Sequence, residues 1–256
     1  MPFVSDCLHN PLDNMLQNEK DFLMGLATRM EPMISLAQFT TLSELTRPHP
    51  DFIFPENALA FLGDNLKKSL KTLLSSLDVL HEPVVLGRVH PQAVIEGPVY
   101  IAKNANVEAS AYIQGPTYIG PGTEVRHGAY IRGNVYVGQA CIVGHTTEVK
   151  GAVFLDGAKA GHFAYVGDSI LGQNVNLGAG TKLANLKLKG DEVFFQDPIS
   201  GDRIRSGLRK FGALLGDYAQ TGCNSVLSPG TLLLPHTAVL PCVHFCGTLK
   251  KGFARG

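Results

Sequence analysis

No tryptophan occurs in the 256 residues, and all aromatic residues together reach only 8%. The interior must be filled by smaller side chains, which points to thin repeated layers rather than one bulky core. Charge is scarce as well, 17% against about 25% in an average soluble domain. Its two signs cancel, with 22 basic and 22 acidic residues. Without a net field the chain lacks the long-range attraction that nucleic-acid and anionic-membrane binders carry, and neither partner is expected. A hydrophobic content of 45% excludes disorder over most of the length. Glycine, by contrast, is abundant, and its 28 residues exceed the roughly 7% norm, which implies many turns.

The N-terminal MPFVSDCLHNPLDN has no basic stretch leading into an apolar one, so no secretory signal is read there and a cytoplasmic location is expected. Cys7, Cys141, Cys223, Cys242 and Cys246 are odd in number and mostly unpaired in spacing, which favours reduced thiols over disulfides. Cys242, His244 and Cys246 alternate at period two, a spacing zinc can use, but thiols near an apolar end more often pack. The long uncharged run 218–249 is interrupted by Gly222, Pro229, Gly230, Pro235 and Pro241, which argues against a membrane span.

Two patterns divide the chain. In residues 1–86, Ala58, Phe61, Leu62, Leu66, Leu70, Leu73, Leu74 and Leu77 recur every three or four positions, with Lys67, Lys68 and Lys71 between them. That is the pattern of an amphipathic helix. Shorter helical patterns cover 17–27 and 35–45, with prolines at the connections, so a helical arm is expected.

From Val89 the period is six. Val89, Ile95, Ile101, Val107, Ile113, Ile119, Val125, Ile131, Val137, Val143, Val149 and Leu155 are all aliphatic. The residue four places on is small or β-branched in eleven of these twelve hexads, Lys159 being the exception. Such a unit is a short strand plus a bend, and three units close a triangular coil. Coils stacked at about 4.8 Å satisfy one another's backbone groups. The pattern resembles the hexapeptide-repeat family, which implies a mainly β fold, a left-handed parallel β-helix over 87–256. The period breaks after Leu155 and resumes at Leu171, two residues short of an eighteen-residue coil. A charged stretch at about 187–211 reads as a loop thrown out of the prism.

At the first break stands KAGHFAYVGDSILGQNVNLGAGTKLAN, preceded by AYIRGNV and VGHTTEVK. This run resembles the acetyltransferase half of the bifunctional N-acetylglucosamine-1-phosphate uridyltransferase/glucosamine-1-phosphate acetyltransferases. The later GLRKFGALLGDYAQTGCNSVLSPG is similar to a segment of the related sugar-1-phosphate nucleotidylyltransferase/acetyltransferases. The resemblance implies an acetyl-CoA-dependent N-acetyltransferase acting on an amino-sugar phosphate such as glucosamine 1-phosphate, working without a metal as a homotrimer with sites between subunits. It implies His162 as general base, Asn185 near the acetyl group, Arg132, Lys150, Tyr165 and Asn176 on the sugar phosphate, and Ala179 and Gly180 on the coenzyme.

The residue types suit that chemistry. Histidine exchanges protons near neutrality, and arginine offers a phosphate a bidentate fork. Backbone N–H groups of NLGAG are candidates for stabilising a tetrahedral oxyanion. Glu148, two residues from Lys150, is expected to share its strand face and orient it. His127 and His145, eighteen residues apart, are expected to stack, but they lack the closely spaced partner that a zinc-histidine site requires.

Two departures stand out. The family's tyrosine after Asn185 is Leu186 here, and its lysine-bearing continuation is replaced by the charged stretch, where Arg209 and Lys210 are candidates to restore the charge. The residues ahead of the prism hold no Gly-rich nucleotide loop of the LxxGxGTRM kind, so no uridyltransferase activity is expected. The alternative reading is a noncatalytic trimeric scaffold that binds sugar phosphates or nucleotide sugars without turnover.

Overall fold

The computed structural model describes residues 33–48 and 53–255; the helix expected over 17–27 lies outside them. Among the described residues, parallel sheets of nine, nine and eight strands form the three faces of a prism, with a two-stranded antiparallel pair beside them. Face A runs from Val84–Val85 to Thr248–Leu249, face B from Arg88–Val89 to Phe253–Ala254, and face C from Val94–Glu96 to His244–Phe245. Each strand pairs with those one coil before and after, as Ile131 does with Ile113 and Val149. The chain is a mainly β, parallel β-helix. Its hexads explain why: Ile101, Val107, Ile113, Ile119, Val125, Ile131, Val137, Val143 and Val149 point inward and are at most 1% exposed. Val89 and Ile95, in the first coil, are only partly covered.

The repeat departs from its expected phase at Val153 and Leu155. Ala152 and Phe154 take the inward places, and Val153 and Leu155 join a second apolar cluster outside the prism. The register gives the reason. Partners are eighteen residues apart at Ile131 and Val149, but seventeen apart at Val137 and Phe154, at Val149 and Val166, and at Val166 and Leu183. The two missing residues are thus lost one at a time, each where face C turns into face A. Gly133 and Asn134 make that turn with two left-handed residues, φ 82° and 53°, whereas Gly151 (57°) and Asp168 (43°) each make it alone. On its next visit to the corner the chain throws out the charged insertion, in which Phe194–Gln196 and Arg203–Arg205 pair antiparallel.

Face A is covered on both sides. Helix α1, Gly63–Ser76, sets Leu66, Leu70 and Leu73 in one cluster with the outward Tyr118, Tyr136, Val153, Ile170, Leu214 and Leu232, joined by Val193, Phe195 and Phe211 of the insertion. Tyr100, Tyr118 and Tyr136 stack coil upon coil, with centroids 5.5 and 5.3 Å apart. The helix is shorter than its periodicity predicts. Ala58–Phe61 is a 3-10 turn with Asn57 at its N-cap, and left-handed Gly63, φ 57°, redirects the chain. Likewise 35–45 holds two 3-10 turns, Leu36–Gln38 and Leu42–Glu44. Two prism carboxylates hold this segment: Asp217 accepts from the Thr41 N–H at 3.1 Å, and Asp156 from the Thr46 N–H at 2.7 Å. No helix among the described residues is long and apolar enough to cross a membrane.

Candidate functional site

Face C and the irregular corner at its end gather most of the expected acceptor residues. Arg132 and Lys150 end the successive strands Tyr130–Arg132 and Glu148–Lys150, and Tyr165 opens the next, Tyr165–Gly167. The middle residues Ile131, Val149 and Val166 fill the prism, so alternation turns the first and third residues outward. Gly167 leaves the third place of its strand without a side chain. A Cβ there would lie 2.7 Å from the Tyr165 hydroxyl and 2.8 Å from Asn185 Nδ2.

Tyr165 uses that gap to reach along face C, and its hydroxyl donates to Asn185 Oδ1 at 3.3 Å. Asn185 Nδ2 donates to Asp168 Oδ2, which also stands 3.6 Å from Lys150 Nζ. One network therefore joins Tyr165, Asn185, Asp168 and Lys150. Burial, with Glu148 and Asp168 nearby, pushes the Tyr165 hydroxyl up from its ordinary range, so it remains a proton donor.

Asp168 escaped the sequence reading, although its signal lay in the text. Aspartate tolerates the left-handed backbone of a one-residue corner, and losing a residue brings its carboxylate over Gly151. A Cβ on Gly151 would stand 2.7 Å from Asp168 Oδ1, so glycine is needed there for space as well as for φ. Glu148 also differs from expectation: it pairs with Arg132 of the preceding coil at 2.7 Å rather than with Lys150. That hydrogen bond holds the guanidinium above its ordinary value.

His162, Ala179 and Gly180 stand at the other edge of face C, whereas Asn176 lies on face B, at the end of its strand away from face C. Exposed His162 ends the face B strand Lys159–His162, three residues before Tyr165. It lies in register with His145, whose ring stacks on His127 at 5.5 Å, as the spacing predicts. Asn176 points outward on the next face B strand, in register with Lys159. Among the described residues no hydrogen bond joins His162 or Asn176 side chains to the Tyr165 network.

The turn Gly178-Ala179-Gly180 lies one coil beyond His162. Gly178 N–H donates to Thr221 O at 2.8 Å and Gly180 N–H to His162 O at 3.0 Å. The oxyanion role expected of this turn therefore narrows to the Ala179 N–H. Gly180 has φ 72°, and a Cβ would meet Phe163 Cε2 at 2.9 Å.

The insertion divides its cations. Arg209 Nε donates to Gly190 O at 2.9 Å, and Lys187 pairs with Asp191 at 2.9 Å. Lys210 instead lines a cleft of about 250 Å³ at the corner, with Arg132, Lys150, Asp168 and, from α1, Asp64 and Lys67. Leu186 is 42% exposed, leaving an apolar side chain next to Asn185. No cluster of three or more metal-ligating side chains occurs among the described residues.

Residues 113–205 match the family model of the GMPPB C-terminal domain. A bifunctional sugar-1-phosphate nucleotidylyltransferase/acetyltransferase of Sulfurisphaera tokodaii is 40% identical over 87 residues, 34% of this chain and 21% of its own length. A bifunctional protein GlmU of Methanococcus vannielii is 43% identical over 72 residues, 28% of this chain and 17% of its own. The chain thus spans about a fifth of the length of these curated relatives. Among solved structures, a UDP-N-acetylglucosamine acyltransferase of Francisella novicida aligns at 14% identity and TM-score 0.41, over 63% of this chain and 61% of that one. Over part of its length, then, this chain resembles the sugar-1-phosphate nucleotidylyltransferase/acetyltransferases and GlmU proteins.

Proposed function

We propose that the chain is an acetyl-CoA-dependent N-acetyltransferase of an amino-sugar phosphate, glucosamine 1-phosphate or a close relative, with His162 as the base. The observation that carries this reading is the layout of face C. Arg132 and Lys150 stand at one edge and His162 at the other, with Tyr165 lying between. Tyr165 to Gly167 alone is two strand steps, about 7 Å, and His162 lies beyond that edge, so a hexose 1-phosphate is proposed to lie along the face with its phosphate on the cations and its amine toward the histidine.

In that pose the amine nitrogen attacks the thioester carbonyl, and His162 takes the amine proton as the C–N bond forms. The C–S bond then breaks, and the proton passes to the departing thiolate, giving the amide and free coenzyme. The corner at Gly178-Ala179-Gly180 carries no side chain larger than a methyl and adjoins His162, which suits a thin pantetheine chain. This reading assigns the oxyanion to the Ala179 N–H. Asn185, held by Tyr165 and Asp168, is a fixed group that orients the acetyl end.

The test is thiol release from acetyl-CoA with a panel of amino-sugar phosphates. His162→Ala is expected to lower kcat by about 10²–10⁴-fold while sparing sugar-phosphate binding; equal rates in the two proteins would remove the histidine from the mechanism. Exposed Leu186 favours a second reading, a binding scaffold without turnover. Calorimetry showing sugar-phosphate binding but no acetyl-CoA binding would select it.

A further inference from the structure

Resting on the sugar-phosphate reading, we propose that Lys67 of α1 and Lys210 of the insertion are phosphate-binding residues of the same site, so that the arm and the insertion complete it from outside the prism. The argument is electrostatic. Arg132 and Lys150, the two cations supplied by the repeat, already face Glu148 at 2.7 Å and Asp168 at 3.6 Å. Counting Asp64 of the lining and Glu148, which neutralises Arg132 from outside it, these five groups leave one net negative charge, which repels a phosphate dianion. Lys67 and Lys210 line the same cleft, are exposed, and form no ion pair with a described residue. Adding them turns the balance to one net positive charge.

The fold brings both lysines there for identifiable reasons. Gly63 turns the chain so that the first turn of α1 meets the corner. The insertion returns to the prism at Phe211, whose N–H donates to Asn185 O at 3.0 Å, and this sets Lys210 beside the network. Asn134, on the wall of the same cleft, has a buried Oδ1 without a partner. A dianionic phosphate monoester is the ligand class that this charge balance fits, and screening makes its affinity salt-dependent.

The experiment is calorimetric titration of glucosamine 1-phosphate, inorganic phosphate and unphosphorylated glucosamine into the wild type, Lys67→Ala, Lys210→Ala and the control Lys68→Ala, a neighbouring α1 lysine outside the cleft. Each cleft variant is expected to weaken the two phosphates by about 5–10-fold, with binding of glucosamine and acetyl-CoA unchanged and Lys68→Ala like wild type. Equal phosphate affinity in all four proteins, or equal losses in Lys68→Ala, would overturn the proposal. Because binding is read apart from turnover, lysine-dependent phosphate binding without thiol release would keep this inference and defeat the acetyltransferase. Thiol release with an unchanged KM in both variants would do the reverse.

Discussion

At the scale of single residues, the site is a set of buried connections ending in exposed charges. Asn185 is buried and uses both ends of its amide, accepting from Tyr165 and donating to Asp168, as a buried polar group must to avoid an unmet desolvation cost of about 1–3 kcal/mol. His162, Arg132 and Lys150 were legible as candidates because their residue types carry the chemistry and their text matches a family. Asp168, Lys67 and Lys210 were harder to place, since a charged residue at a turn or on a helix reads the same whether it faces solvent or a cleft. The cysteines follow the same division between burial and exposure. Cys141 donates its thiol hydrogen to Leu155 O at 3.1 Å, and burial pushes its pKa up to about 12, whereas Cys223, Cys242 and Cys246 are exposed. Thiolate is the reactive form, so a maleimide at neutral pH is expected to label those three in the native protein and Cys141 only after unfolding. Peptide mass spectrometry reads the labels, and native labelling of Cys141 at the rate of Cys223 would contradict this core.

At the scale of elements, one corner holds nearly all the irregularity. Periodicity announced a loss of two residues near Leu155, but not that it falls as two single losses, because Val153, Phe154 and Leu155 are all apolar and either phase reads as buried. The helix boundary was obscured in a similar way, since a 3-10 turn and an α-helix both repeat apolar residues every three or four positions. The shortened turns at Gly151 and Asp168 are what place the Asp168 carboxylate beside Lys150. Inserting one glycine after Gly151 restores the two-residue turn that Gly133 and Asn134 make, a form the repeat accommodates. The variant is expected to fold with a melting temperature near that of wild type. Displacing Lys150 from Asp168 by even 1 Å is expected to cost catalysis about 10²-fold. A variant with unchanged kcat/KM would show that the shortened corner serves the packing of face A alone.

At the scale of the whole molecule, the described arm and the insertion commit face A to packing within the chain, which leaves faces B and C for contacts with other copies. The general form of the prism was readable because a period of six constrains every coil, whereas assembly depends on outward residues that the repeat leaves free to vary. A closed trimer is the arrangement expected on the family resemblance, and multi-angle light scattering checks it. Within any such assembly, His162, Tyr165 and Lys150 sit on or at the edge of face C of one chain. On the proposed function, one chain would hold both ends of the acceptor, even where a neighbour supplied part of the coenzyme site. Two variants impaired on the proposed function, His162→Ala and Lys150→Ala, coexpressed with different tags and purified as mixed oligomers, are thus expected to show no activity above that of the variants alone, because no protomer carries both groups. If the acceptor instead bridged two chains, random mixing around a cyclic trimer would restore about a quarter of the sites. Recovery of activity near that fraction would move the acceptor off face C and into the groove between protomers.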